Sequence, residues 1–183
     1  MDISKVGVVG CGLMGSGIAE IAAKSGFDVV VREMNDELLQ KGQARIQKSM
    51  DRAVKKEKLT AADRDAAGAR LSYTTHVSDL AECDIIIEAI VEELDAKNAL
   101  FGELDGICGD NTIFASNTSS LTITDMAAAT ERADRFVGLH FFNPVPVMKL
   151  VEVVKTIVTS AETFDRAHAF AKALGKVPIA AKD

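Results

Sequence analysis

No stretch of this chain is apolar for long enough to cross a membrane; the longest candidate, Ile85-Ile-Ile-Glu-Ala-Ile-Val91, is short and broken by Glu88. No basic leader with an apolar stretch and small-residue cleavage site precedes the first strand pattern, so no signal peptide is expected. Cysteine is scarce. Cys11, Cys83 and Cys108 stand far apart, without the paired spacing of a zinc site, and no metal site is expected. An odd count with no framework reads as reduced thiols in a cytoplasmic compartment. Basic residues are outnumbered 21 to 27, and the net charge of −6 argues against general nucleic-acid binding, which needs a basic surface to displace counterions. Asn117-Thr-Ser matches a glycosylation sequon, but a cytosolic chain would never meet the enzyme that uses it. Internal repeats and low-complexity linkers are also absent.

What remains is a chain of 183 residues, 48% hydrophobic, which is enough for one sizeable domain over 1–183 with a real core. Its pattern alternates strand and helix. Residues 6–9 read as a buried strand, followed by a helix through 18–23 that stops at Gly26, and 27–31 form a second strand. A long helical pattern over 36–58 starts at the capping candidate Asn35, and another begins at Thr60, with Asp63 in its first turn. Strands at 84–88 and 112–116 flank a helix near 93–105; a short helix over 122–128 precedes the apolar pair Phe136-Val137. Strand patterns at 150–154 and 177–180 flank a last helix over 161–174. Strands alternating with helices imply a doubly wound α/β fold, a mostly parallel sheet covered on both faces, with a helical excursion after the second strand.

Gly10-Cys-Gly-Leu-Met-Gly15 is G-x-G-x-x-G, with Gly17 following. Alone it is a weak pattern. Here a strand leads in, a helix leads out, and a second strand ends at an acidic residue, the context of a Rossmann-type dinucleotide site. Gly10 permits the tight turn, Gly12 lets backbone approach a pyrophosphate, and Gly15 lets helix pack on strand; Leu13 and Met14 complete the loop. Glu33 is placed to accept hydrogen bonds from an adenosine ribose and to repel a 2′-phosphate, which favours NAD over NADP. Arg32 complicates that preference, although neighbours on a strand point to opposite faces.

His140 stands just after a strand pattern and four residues before Pro144, with Glu152 twelve residues on. Beside a nicotinamide, an imidazole with a pKa near 6.5 suits the removal of a hydroxyl proton. Glu152 would bond the other ring nitrogen, or else be a charge on a strand's solvent face. His76 and His168 read as surface residues. Asn117-Thr-Ser-Ser120 follows another strand end, where Asn117 and Ser119 are candidates to bond a carbonyl oxygen or the nicotinamide ribose; the bland reading is a helix cap from Ser120 or Thr122. Finally, Lys41, Arg45, Lys48, Arg52, Lys55 and Lys56 recur at helical spacing, offset only by Asp51 and Glu57. Such a stripe is either a solvated face or an attraction for a polyanionic small ligand.

Four stretches resemble the amino-terminal domain of the L-3-hydroxyacyl-CoA dehydrogenase family, especially bacterial 3-hydroxybutyryl-CoA dehydrogenases: 10–19, 88–97, Ala115-Ser-Asn-Thr-Ser-Ser-Leu121, and 138–153 from Gly138-Leu-His-Phe-Phe-Asn-Pro onward. The resemblance implies an NAD-dependent oxidoreductase of fatty acid and butanoate metabolism, interconverting a short-chain L-3-hydroxyacyl-CoA and a 3-oxoacyl-CoA. It makes His140 the catalytic base, Glu152 its partner and Ser119 a contact to the substrate's 3-oxygen. It assigns Glu33, Glu92, Lys97 and Asn143 to NAD, and Ser49 and Lys56 to the CoA moiety. The family continues past a Lys-Asp similar to Lys182-Asp183 into a helical dimerisation domain that this chain lacks. Two alternatives follow: an NAD- and CoA-binding module inactive without that domain, or a related hydroxy-acid or gulonate dehydrogenase that does not use CoA. Lysine-dependent 3-hydroxyisobutyrate-type dehydrogenases share the glycine loop, but His140 and Glu152 speak against them.

Overall fold

The computed structural model describes residues 2–183. The chain runs β1 (Lys5–Val9), α1 (Leu13–Lys24), β2 (Asp28–Arg32), α2 (Asp36–Lys55), α3 (Ala61–Ala69) and β3 (Leu71–Thr74). It continues with β4 (Ile85–Glu88), α4 (Leu94–Asp105), β5 (Ile113–Ser116) and α5 (Ile123–Ala127). The last elements are β6 (Phe136–Phe141), β7 (Leu150–Lys155), α6 (Ala161–Ala173) and β8 (Val177–Lys182). Every expected element forms; β3 is an addition. The eight strands make one sheet in the order β3-β2-β1-β4-β5-β6-β7-β8. Among the described residues, only β6 and β7 pair antiparallel. This is the expected doubly wound, mostly parallel architecture, and α2 and α3 are the excursion after the second strand.

The central strands β4 and β5 are buried on both faces and carry apolar residues at consecutive positions. Val6, Val8, Ile85, Ile87, Ile113 and Ala115 pack with residues of α1 and α2 on one face. Ile86, Phe114 and Phe136 pack with Leu100, Phe101 and Leu104 of α4 on the other. Side chains alternate along a strand, so Glu88 and Ser116 fall on the α4 face with Ile86 and Phe114. His140 shares its parity with Phe136, on that same face. The strand order reverses between β1 and β4, and the crevice beyond their carboxyl ends is where such folds hold ligands.

Helix starts follow local capping chemistry. Asn35 Oδ1 accepts from Leu38 N–H at 2.9 Å, and Thr60 Oγ1 accepts from Asp63 N–H at 3.0 Å. α5 departs from expectation, since neither Ser120 nor Thr122 caps it. Asp183, brought alongside by β8, accepts instead from Ile123 N–H at 2.9 Å and from Thr124 N–H at 2.7 Å. Burial pulls the Asp183 carboxyl up, but these bonds and the Thr124 hydroxyl outweigh it and hold it below its ordinary range. α2 ends in a turn where Glu57 takes a left-handed φ of 56°, with Lys58 N–H reaching Ala53 O at 2.9 Å and Glu57 N–H reaching Val54 O at 3.0 Å. At the carboxyl end of α4, buried Arg132 bonds Asp105 Oδ1 at 2.5 Å and the carbonyls of Asp105, Cys108 and Gly109.

Among the described residues, no helix is long and apolar enough to cross a membrane, and no three His, Cys, Asp or Glu side chains group to hold a metal ion. All three cysteines are free and buried. Burial pushes the Cys11 and Cys108 thiols up to about 11 and Cys83 to about 12, which leaves them unreactive.

Candidate active site

The turn between β1 and α1 needs its glycines for three different reasons. Gly10 has φ +92°, and a Cβ there would lie 2.5 Å from Ala89 O. A Cβ on Gly15 would lie 1.7 Å from Gly10 O, so α1 rests directly on the turn below it. Gly12 is the opposite case: a Cβ there meets nothing within 4 Å. That open space lies at the amino terminus of α1, where no side chain caps the helix and no acidic residue occupies the first turn. Free N–H groups and the positive end of the helix dipole therefore face a gap that only a missing side chain keeps clear, and a pyrophosphate fits it.

Glu33 follows β2 directly. Its Oε2 accepts from Cys11 N–H at 2.9 Å and its Oε1 from Met34 N–H at 2.8 Å, which fixes the carboxylate at the loop with lone pairs to spare. Arg32 ends β2 half-buried, with its Nε lacking a partner. α2 is also fastened to the loop: Arg45 donates to Cys11 O at 2.9 Å, and Gly42 lies so close that a Cβ would be 2.2 Å from Cys11 Sγ. The basic stripe is consequently shorter than its spacing implied. Arg45 is committed to Cys11 O and Lys41 pairs with Glu37 at 2.7 Å, which leaves Lys48, Arg52, Lys55 and Lys56 as the other exposed members. Asp51 is not free to offset them either, since it pairs with Arg64 at 3.2 Å.

Past β4 and β5 lies a buried polar network. Glu88 is 0% exposed, and Lys97 is 1% exposed although it is a lysine. Lys97 Nζ donates to Glu88 Oε1 at 2.5 Å and lies 3.2 Å from Glu92 Oε2. Glu88 also accepts from Ile90 N–H at 2.7 Å and from the Ser116 hydroxyl at 2.6 Å. Glu92 Oε1 accepts from the Thr118 hydroxyl and from Ser119 N–H at 3.2 Å, so it shapes the turn that carries Ser119. Burial pulls Glu92 up, yet the Thr118 bond, the Lys97 charge and the Ser119 amide together hold it below its ordinary range. Sequence reasoning treated Glu88 only as a break in an apolar run. The available signal was a carboxylate inside a strand buried on both faces, which demands a partner.

The antiparallel register of β6 and β7 sets His140 opposite Glu152. His140 Nδ1 lies 2.7 Å from Glu152 Oε2. A carboxylate only accepts, so Nδ1 donates and the ring's lone pair is left on Nε2. The residue was expected just past a strand end; it is in fact the fifth residue of β6, because pairing with β7 carries the ladder through Phe141. Asn117 Oδ1 accepts from Phe141 N–H at 2.9 Å and ties that strand end to β5.

These elements enclose a cavity of about 390 Å³ lined by Met14, Ala89, Ile90, Glu92, Lys97, Asn117, Ser119, His140, Phe141, Phe142 and Asn143. Seven residues singled out in the sequence are thus brought together: Met14, Glu92, Lys97, Asn117, Ser119, His140 and Asn143. Gly10, Gly12, Leu13, Gly15 and Glu33 belong to the adjoining glycine loop and its acidic partner, outside the lining. Ser49 and Lys56 lie on α2 and just after it, also outside. His76 is exposed and His168 packs near the Phe164 ring, away from the cavity.

Residues 5–183 match the model of the 3-hydroxyacyl-CoA dehydrogenase, NAD binding domain family. The chain belongs to this family. Among its relatives, human mitochondrial hydroxyacyl-coenzyme A dehydrogenase is 48% identical over 187 residues, covering 99% of this chain and 60% of that protein. A probable 3-hydroxybutyryl-CoA dehydrogenase of Deinococcus radiodurans is 47% identical, covering 98% of this chain and 64% of that protein. The crystal structure of (S)-3-hydroxybutyryl-CoA dehydrogenase from Ralstonia eutropha superposes with a TM-score of 0.97 at 50% identity, over 100% of this chain and 64% of that one. This 3-hydroxyacyl-CoA dehydrogenase NAD-binding domain therefore spans about 60% of the length of the curated relatives it matches. The open space at Gly12 and the fixed Glu33 carboxylate are the features that fit NAD in it.

Proposed function

We propose that the chain is the NAD-binding catalytic part of a dehydrogenase that interconverts a short-chain L-3-hydroxyacyl-CoA, such as 3-hydroxybutyryl-CoA, with its 3-oxoacyl-CoA. The observation that carries this reading is His140, which lines the cavity together with Ser119 and is held from behind by Glu152 at 2.7 Å. In the oxidation, His140 Nε2 takes the proton of the 3-hydroxyl. Glu152 keeps the proton on Nδ1 and stabilises the imidazolium that forms. Such general-base help contributes roughly 10²- to 10⁴-fold. When bound, NAD supplies the acceptor for the hydride that leaves C3. Ser119, held by Glu92, donates its hydroxyl to the 3-oxygen and steadies it in both directions of the reaction.

Gly10, Gly12, Leu13, Met14 and Gly15 receive the pyrophosphate, and Glu33 receives the adenosine ribose. Asn117 has its carboxamide oxygen occupied by Phe141, which leaves its NH₂ for the nicotinamide ribose; Glu92, Lys97 and Asn143 complete that end. Ser49 and Lys56, with the exposed Lys48, Arg52 and Lys55, hold the phosphates of CoA along α2. A reducing, cytoplasmic setting agrees with three buried thiols and no disulfide among the described residues.

The direct test mixes the chain with acetoacetyl-CoA and NADH and follows NADH absorbance, alone and with a relative's helical domain added. Consumption is expected at least in the second case; none in either removes the catalytic claim. A second reading is a module that binds NAD and CoA without turnover; the chain covers 60% of the human relative's length. Cofactor binding by calorimetry, without turnover even when the helical domain is added, would select it.

A further inference from the structure

The Glu88, Lys97 and Glu92 cluster holds two carboxylates and one ammonium group. Lys97 is buried and needs a counter-charge; Glu88, also buried and the nearer of the two, supplies it at 2.5 Å. Glu88 is fully buried and also accepts from Ile90 N–H and the Ser116 hydroxyl, so no group in the cavity competes for it. The pair is therefore internally neutral. The surplus negative charge resides on Glu92, whose side chain is 40% exposed and which lines the cavity together with His140. Its bonds to Thr118 and Ser119 keep it ionised. His140 lines the same cavity as a neutral ring, and its partner Glu152 brings no positive charge to it.

The two forms of the cofactor differ at the ring that must enter this cavity. Oxidised nicotinamide is a cation and reduced nicotinamide is neutral. We infer that the cluster sets the preference of the site between the two redox forms: Glu92 draws in the oxidised ring, and Glu88 makes this possible by cancelling Lys97. Glu88 is on this view a positioning and charge-setting residue rather than a mere structural one. The inference rests on the NAD reading proposed above.

The test measures dissociation constants for NAD⁺ and NADH separately, by calorimetry or quenching, on the unmodified chain and on Glu92→Gln, Glu88→Gln and Glu33→Gln. Removing one charge a few ångströms from the ring, in a partly exposed site, should raise the NAD⁺-to-NADH ratio of dissociation constants by ~3- to 10-fold in Glu92→Gln. Glu88→Gln should move the ratio in the same direction, because Lys97 then neutralises Glu92 alone. Glu33→Gln, at the adenosine end, should weaken both forms equally and leave the ratio unchanged. Glu92 is partly exposed, so its variant keeps the test decisive even if Glu88→Gln fails to fold. Both forms bound by Glu92→Gln at the unmodified ratio would overturn the inference alone. Neither form bound by the unmodified chain would overturn the NAD reading, and this inference with it.

Discussion

Gly12 and Gly15 differ by three positions, and alanine should harm them in opposite ways. At Gly15 the new Cβ would lie 1.7 Å from Gly10 O, a backbone atom that cannot swing aside. Ordinary contact begins near 3.4 Å, so α1 and the turn must separate by more than an ångström. Overpacking of this kind costs about 1–3 kcal/mol or more, and the better helix propensity of alanine returns at most about 1 kcal/mol. A net loss of about 2 kcal/mol lowers the melting temperature of a domain this size by roughly 4–8 °C. At Gly12 the Cβ meets nothing within 4 Å, and its φ of −72° is one alanine adopts readily. Gly12→Ala should therefore melt within about 1–2 °C of the unmodified chain. It fills the space assigned to the pyrophosphate, however, and NAD affinity should fall by about tenfold or more. Thermal melts and calorimetry on the two variants separate these effects. A Gly12→Ala chain with unchanged NAD affinity, or a Gly15→Ala chain with unchanged melting, would refute the reasoning.

Other perturbations are read as directly. Glu57→Gly should raise stability by about 0.5–1 kcal/mol, a gain of roughly 1–4 °C in melting temperature, because glycine adopts the 56° φ without strain. Burial pulls Asp105 and Asp183 up, but their hydrogen bonds outweigh it and hold both below the ordinary 3.8. Their stabilisation is thus complete above 3.8 and is lost as pH falls through the lowered folded values; melts in acid should show this, with the loss shallower in Asp105→Asn. Glu152→Gln should cut turnover by roughly 30- to 1,000-fold while leaving the melting temperature nearly unchanged, since the pair is partly exposed and partly screened. A parallel fall in both would point to a structural role instead.

The glycine loop and the alternation of strands were legible because each rests on local rules: a turn that only glycine permits, and apolar runs of strand length. β3 was not legible. Leu71-Ser-Tyr-Thr74 is a short edge strand with one exposed and three half-buried positions, so it carries neither a buried run nor a clean alternation. The pairing of His140 with Glu152 was one of two readings open to Glu152, and the antiparallel register across the turn through Pro144 selects it. Lys97 meets Glu88 because α4 covers the face that Glu88 shares with Ile86, a fact of packing rather than spacing. Asp183 caps α5 from sixty residues away for a similar reason. The basic stripe misled in part because helical spacing reports a shared face but not which members, like Arg45, are already bonded to a neighbouring loop.

The central claim is that His140 is the base. Acetoacetyl-CoA reduction by NADH, followed in the unmodified chain and in His140→Gln with a relative's helical domain supplied to both, tests it most directly. The account predicts that the variant binds NADH as tightly as the unmodified chain and loses turnover by at least about 10²-fold. Full turnover in His140→Gln would contradict it.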